Sequence, residues 1–431
     1  MIDENILQQL YRYRWCIFTV LAVSYFFVYF HRMTVSILGQ DMIEDVGGTV
    51  GVLSSVYFWT YTAMQIPSGL LADRLGPRRS ASIFMTLAAL GSFLTAFSDN
   101  FLGLVIGKIM IAMGMAVIYI PLMKVISVWF PHADFPQLNG IVIAVGNIGA
   151  IAASAPLEYL ELTLGGWRQV FILLGIVTFI LALLCMIVIR DHPHQKGLPS
   201  VEEVSDVQST NVDPTNGKMP LIKGLKMVAS GGRKFWCMAI AYLLIYGTIM
   251  VFQGTWAKFY FKDVYGFLEG AAWFITAIGV GKICSTLIIG RMSSSGRISS
   301  KKRIISLGVA VYMFTWAVIF IWAGDIDCYW FWLVICLVFG VSAGFMTLSF
   351  SQVKDWYPVA VAGTTVSVMN TMLFLGSSLL TTLSAFIIGS ESALDDYRML
   401  WGVMFIASIC GLILVLLSKE RKNGDLLVSL D

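Results

Sequence analysis

Charge is what this sequence lacks most. Acidic and basic residues together supply 13% of its 431 residues, about half the share usual in a soluble domain. A soluble enzyme with a single anchor is excluded, because the apolar runs recur from one end to the other. The seven cysteines (Cys16, Cys185, Cys237, Cys284, Cys328, Cys336 and Cys410) form no CxxC pair and no metal-ligand spacing. They read as small buried side chains, so neither a metal nor another cofactor is expected. No GxxxxGK[ST] loop is present, which argues against ATP hydrolysis. HExxH, a nucleophile elbow and paired carboxylates within the apolar runs are missing too, so the chain does not read as an enzyme. A cleavable signal peptide is not expected either: residues 1–14 are polar, and the first apolar run is too long for an h-region.

What is present is a series of apolar runs near the ~20 residues that a membrane-spanning helix needs. They fall at 15–38, 50–72, 80–98, 101–127, 137–158, 168–190, 235–257, 268–290, 303–323, 329–352, 362–388 and 399–418. The expected fold is an all-α membrane protein of twelve transmembrane helices. With the N-terminus cytoplasmic, 22 Lys and Arg fall on the cytoplasmic side, 4 outside and 3 within spans. That excess orients the chain in the inner (plasma) membrane with both termini cytoplasmic.

One long polar insertion, 191–234, is rich in Pro, Gly, Ser and Asp and reads as a cytoplasmic linker, with a short surface helix at 218–228. It separates an N-terminal six-helix half (1–190) from a C-terminal one (235–431). A duplicated plan calls for an internal repeat. GLLADRLGPRR (69–79) ends span 2 and LIIGRMSSSGR (287–297) ends span 8. Matching Arg74 to Arg291 sets an offset of 217 residues; the second copy carries Gly290 where the first has Asp73.

Charges inside spans are costly and face protein or water-filled space. In YFFVYFHRMTVSIL (25–38), Tyr25, Tyr29, Arg32 and Ser36 share one helix face, with Ser24, His31 and Thr34 on the next stripe. Arg32 lies six residues from the end of its run, roughly 9 Å, so snorkelling is the alternative to a binding role. Lys282 lies deep in span 8, and the repeat offset sets it opposite Gln65 of span 2. Gln65 continues a polar stripe through Tyr57, Tyr61 and Ser68. Tyr246, Gln253 and Asn370 are further polar side chains within spans. Arg32, Lys282, Tyr25, Tyr29, Tyr61, Gln65, Tyr246, Gln253 and Asn370 are the candidate substrate contacts. Lys124 stands near a cytoplasmic end and reads as snorkelling. Gly146, Asn147 and Gly149 in span 5 read as a close helix approach.

Several of these segments carry a family resemblance. GLLADRLGPRR resembles the loop 2–3 signature of the major facilitator superfamily. VIGKIMIAMGMA (105–116) is similar to its span 4 motif, with Lys108 where Arg is usual, and GWRQVF (166–171) is similar to its entry to span 6. The resemblance implies two six-helix halves related by a pseudo-two-fold axis. It also implies gating by Asp73, Arg74 and Arg78, whose charges hold the cytoplasmic ends together, and a packing or proton-coupling role for Lys108. A narrower likeness is to the organophosphate and organic-anion symporter branch, in which Arg32 matches an anion-binding Arg. The branch's second phosphate-binding Arg falls here on Ile245, which suits a carboxylate or sugar acid better than a phosphate ester.

The expected function is secondary transport of a small organic anion by alternating access, with Arg32 and Lys282 contributing one charge from each half. Proton symport is the expected coupling. Acidic residues are nearly absent from the spans, Glu158 being the nearest, so His31 is the titratable candidate. A bound anion beside Arg32 would favour the charged imidazole, so substrate and proton would travel together. The expected partners are the anion, protons and the lipid bilayer, with the chain a monomer and no nucleic acid. A transporter or exporter of amino acids, drugs or siderophores remains the alternative on the same fold.

Overall fold

The structure is a computed structural model that describes residues 4–131, 134–204, 226–267, 270–294, 300–357, 361–388 and 393–418. Among them every regular element is a helix. They form two compact units. One is drawn from Met1–Gly48 and Trp59–Val212, the other from Thr49–Phe58 and Asp213–Asp431. Most of the linker helix expected at 218–228 lies outside the described residues.

The first unit opens with α1 (Glu4–Val46), which continues past its apolar run at both ends. Next in the chain is α2 (Val50–Ala63), whose residues up to Phe58 belong to the second unit, and then α3 (Gln65–Ala96) of the first. The helical path of α3 breaks at Gly76, whose φ of 77° is a left-handed conformation that glycine adopts without strain. The helix resumes at Pro77, where a missing N–H costs nothing. The Asp191 carboxylate then accepts the Arg78 backbone N–H at 2.8 Å, and Arg78 Nε donates to Met186 O at 2.7 Å. The start of the third span is thereby tied to the end of the sixth.

Proline sets two further breaks. Pro121 has no N–H for the carbonyl of Val117, and the fourth span divides there into α4 (Phe101–Val117) and α5 (Tyr119–Trp129). Pro156 stands in the same relation to Ala152, and α6 (Phe135–Ala152) bends by 49° into α7 (Ala155–Leu164). The unit closes with α8 (Trp167–Val188). The GWR entry to α8 works as a clamp. Gly165 and Gly166 take positive φ, Trp167 Nε1 donates to Asp45 Oδ2 at 3.0 Å, and Arg168 lies 3.8 Å from Asp45 and 3.6 Å from Asp99.

In the second unit the seventh span is α9 (Gly232–Val251), a π-turn (Phe252–Trp256) and α10 (Ala257–Tyr265). Then come α11 (Ala271–Ser294), α12 (Lys301–Ile321) and α13 (Tyr329–Gly344), the last leading through a 3₁₀ turn to α14 (Leu348–Lys354). α15 (Ala362–Ile387) and α16 (Leu394–Leu417) complete it. Phe252 packs against Trp316, Phe339 and Trp401 with ring centroids 5.2–5.5 Å apart, an aromatic core. Thr49–Phe58 joins this unit because Gly51 has no Cβ: one there would collide with Ala385.

Among the described residues ten helices are long and apolar enough to cross a membrane, or eleven if the bent pair α6–α7 counts as one span. The expected second span is divided between the 14 residues of α2 and the first turns of α3, so neither piece reaches span length alone. The duplicated plan is visible in the packing. In the first unit α1 packs on α6 and α8, and α3 on α8. In the second unit α9 packs on α15 and α16, and α12 on α16. These are the same pairings displaced by six spans.

Candidate functional site

Arg32 sits well inside α1. The helix continues fourteen residues beyond it to Val46, about 21 Å at ~1.5 Å per residue. That extension carries Gln40, Asp41, Glu44 and Asp45 and lies beyond the apolar run, so burial among protein side chains, not helix length, sets Arg32 apart from a snorkelling residue. The side chain is buried, 6% exposed. Its guanidinium carbon lies 4.4 Å from the Tyr29 ring centroid and 5.1 Å from that of Tyr61. Two aromatic faces thus support the cation.

Tyr25 extends this cluster. Its ring lies 5.3 Å from Tyr29 and 5.4 Å from Tyr119, and Tyr61 and Arg32 are also its electrostatic neighbours. Gly146 of α6 makes room for the pair, since a Cβ there would lie 3.0 Å from both Tyr25 and Tyr29. Gly149, one turn on, lets α6 approach the Phe26 carbonyl. The glycines of span 5 therefore serve helix packing, as expected. Gln65 donates to Tyr61 O at 3.5 Å, a weak bond within the helical segment.

Tyr119 and Asn139 belong to the same cluster, and the sequence reading passed them over. Tyr119 Oη donates to Asn139 Oδ1 at 3.0 Å. The available signal was Pro121, which breaks the span beside Tyr119.

His31 faces elsewhere. It is fully buried, its Nε2 pairs with Thr178 Oγ1 of α8 at 3.2 Å, and its Nδ1 has no hydrogen-bond partner. Lys108 is also fully buried: Nζ donates to Thr34 Oγ1 at 2.7 Å and lies 4.7 Å from the Phe171 ring centroid. His31, Thr34, Lys108 and Thr178 make a second polar cluster, on the other stripe of α1. Glu158 lies on α7, beyond the 49° bend.

Near the end of α5 Lys124 does not merely snorkel. Its Nζ lies 3.2 Å from both Asp73 Oδ1 and the Ala72 carbonyl. Of the expected gating residues, Asp73 is therefore paired with Lys124, Arg78 is bonded to Met186 and Asp191, and Arg74 is exposed.

In the second unit Lys282 Nζ lies 4.8 Å from the Tyr246 ring centroid, and Tyr246 stacks on Tyr242 at 5.9 Å. This arrangement parallels the cation on a tyrosine in the first unit. Ile245 does not share that face. It is fully buried and packs toward Gly411, where an added Cβ would lie 2.8 Å from Ile245 Cγ1. Gln253 is buried in the π-turn, and Trp256 of the same turn donates through Nε1 to Ser384 Oγ at 2.8 Å. Asn370 is half-buried on α15.

Comparison with known proteins agrees with this architecture. The sequence profile of the Major Facilitator Superfamily matches residues 21–381. A probable sulfoacetate transporter of Cupriavidus necator is 24% identical over 264 residues, 61% of this chain. The chain spans 60% of that relative's length. A probable galactarate/D-glucarate transporter of Bacillus subtilis is 22% identical over 96% of this chain and 95% of its own. Among solved structures, a D-xylose–proton symporter superposes with a TM-score of 0.72 at 13% identity, covering 96% of this chain and 100% of that one.

Proposed function

The chain belongs to the major facilitator superfamily, and on that premise we propose that it moves a small organic anion across the inner membrane by alternating access. One observation carries this reading: Arg32, buried within a span, is held on the faces of Tyr29 and Tyr61. Such a charge in a membrane helix is expensive unless it serves a ligand or a partner. Lys282 on Tyr246 is the proposed counterpart in the second unit, with Tyr25, Tyr61, Gln65, Gln253 and Asn370 as further contacts. The relatives described as carriers of sulfoacetate and of galactarate or D-glucarate support an anionic cargo. Ile245, committed to helix packing, supports a carboxylate or sugar acid over a phosphate ester. We assign both termini to the cytoplasm and treat the monomer as the working unit.

Proton symport is the proposed coupling. His31 adjoins Arg32 in sequence and holds Thr178 with one nitrogen, leaving Nδ1 free for a proton. Glu158 is the second candidate. Asp73, Arg74 and Arg78 are proposed to gate, with the Asp73–Lys124 pair as one contact that changes during transport.

The test is uptake into proteoliposomes across carboxylates, sugar acids, organophosphates and amino acids, with and without a pH gradient. Uptake should be confined to anions and lost in Arg32→Ala and Lys282→Ala. Uptake of cations, or full activity in both variants, would sink the reading. In His31→Gln the response to a pH gradient should disappear; its full retention would remove His31 from the mechanism.

A further inference from the structure

We propose that Tyr119 and Asn139 form a hydroxyl-reading subsite, so that the anion carried is a polyhydroxylated carboxylate. This inference rests on the anion-transport reading and goes further in naming the chemistry beyond the charge.

A continuous path leads from the cation to the pair. The Arg32 guanidinium lies 4.4 Å from Tyr29, Tyr29 lies 5.3 Å from Tyr25, and Tyr25 lies 5.4 Å from Tyr119. Tyr119 donates to Asn139 Oδ1 at 3.0 Å. That bond consumes the phenol proton and one amide lone pair. The capacity that remains is two amide N–H donors and the lone pairs of the phenol oxygen. A donor beside an acceptor matches an alcohol, which both accepts and donates through one oxygen. A carboxylate could take up the amide donors but has no proton for the phenol oxygen, and a bare methylene chain offers neither. Charge recognition and hydroxyl recognition are thus divided between the two ends of one tyrosine cluster.

The backbone supports the assignment. Pro121 interrupts the helix between Val117 and Tyr119, so Tyr119 stands at a break in the span. The partner comes from a different helix, α6, whose Gly146 admits Tyr25 and Tyr29. A site built to bond a substrate hydroxyl rejects the analogue that lacks it, because its own polar groups are then left unpaired.

The discriminating probes are galactarate and adipate, dicarboxylates that differ only in hydroxylation, with sulfoacetate as an anion without hydroxyls. Binding of each to the purified full chain is measured for the wild type, Tyr119→Phe, Asn139→Leu and Arg32→Ala. The wild type should prefer galactarate to adipate by about 10- to 100-fold, the range for one or two hydrogen bonds lost from a half-buried site. Tyr119→Phe and Asn139→Leu should each lose most of that preference while adipate binding stays within about twofold. The adipate measurement also reports whether each variant is folded.

A parallel fall for both ligands would assign the pair to helix packing and overturn the proposal. So would equal wild-type affinity for galactarate and adipate, or a preference for sulfoacetate; in those cases the organic-anion reading survives. If the wild type binds no anion and Arg32→Ala behaves identically, both readings fail together.

Discussion

Removing the hydroxyl that holds Lys108 should destabilise the first unit by a predictable amount. Lys108 and Thr34 are both fully buried, and Lys108 Nζ donates to Thr34 Oγ1 at 2.7 Å. Thr34→Val keeps the side-chain shape but leaves the ammonium facing a methyl group. Hydrogen bonds to charged groups contribute about 1.5–3 kcal/mol, so Thr34→Val should cost about 2 kcal/mol in the wild-type background. Lys108→Met removes the charge at similar volume, and such replacements of buried ions are often neutral or stabilising. In that background Thr34→Val loses only its short bond to the His31 carbonyl, 2.9 Å within the same helix. The double-mutant cycle therefore predicts a coupling energy of about 2 kcal/mol, the charged bond alone. The assay is denaturant unfolding of the purified chain in detergent, followed for all four proteins. Additive effects, or a neutral Thr34→Val, would refute the claim that this hydroxyl stabilises a buried charge.

Other positions make sharper structural tests. Asp191→Ala should free the Arg78 backbone N–H and cost about 1 kcal/mol, as for the loss of a helix cap; faster proteolysis at 186–191 under native conditions would report the released tie. Gly149→Leu should be severely destabilising, because a Cβ there collides with the Phe26 carbonyl; normal expression and thermal stability would contradict the close approach of α6 to α1. Pro121→Ala should restore the missing backbone bond to Val117 and raise stability by a few tenths of a kcal/mol or more. If the break positions Tyr119, the same variant should weaken anion binding, whereas unchanged affinity would show that the break is incidental.

How much of this was legible in the sequence depends on whether a partner lies along the helix or across it. Tyr25, Tyr29 and Arg32 share a face by spacing alone, and the structure packs their rings and guanidinium together. Small residues at 146 and 149 announced a close helix contact. Partners from other helices carry no such periodicity. Thr178 for His31, Thr34 for Lys108 and Asn139 for Tyr119 lie 147, 74 and 20 residues away. The length of α1 was also hidden, because a helix in water beyond the hydrocarbon needs no apolar residues. The split second span escaped a rule based on unbroken runs. At Ile245 the sequence register was informative, but only packing against Gly411 reveals that the residue faces a neighbouring helix.

The central claim is that Arg32, carried on two tyrosine faces, is the anion ligand of the first unit. Its most direct test compares galactarate binding to the wild type, Arg32→Lys and Arg32→Gln in detergent at fixed pH and salt. The account predicts no measurable binding in Arg32→Gln and weakened binding in Arg32→Lys, which keeps the charge but loses the planar fork. Wild-type affinity in Arg32→Gln would contradict it.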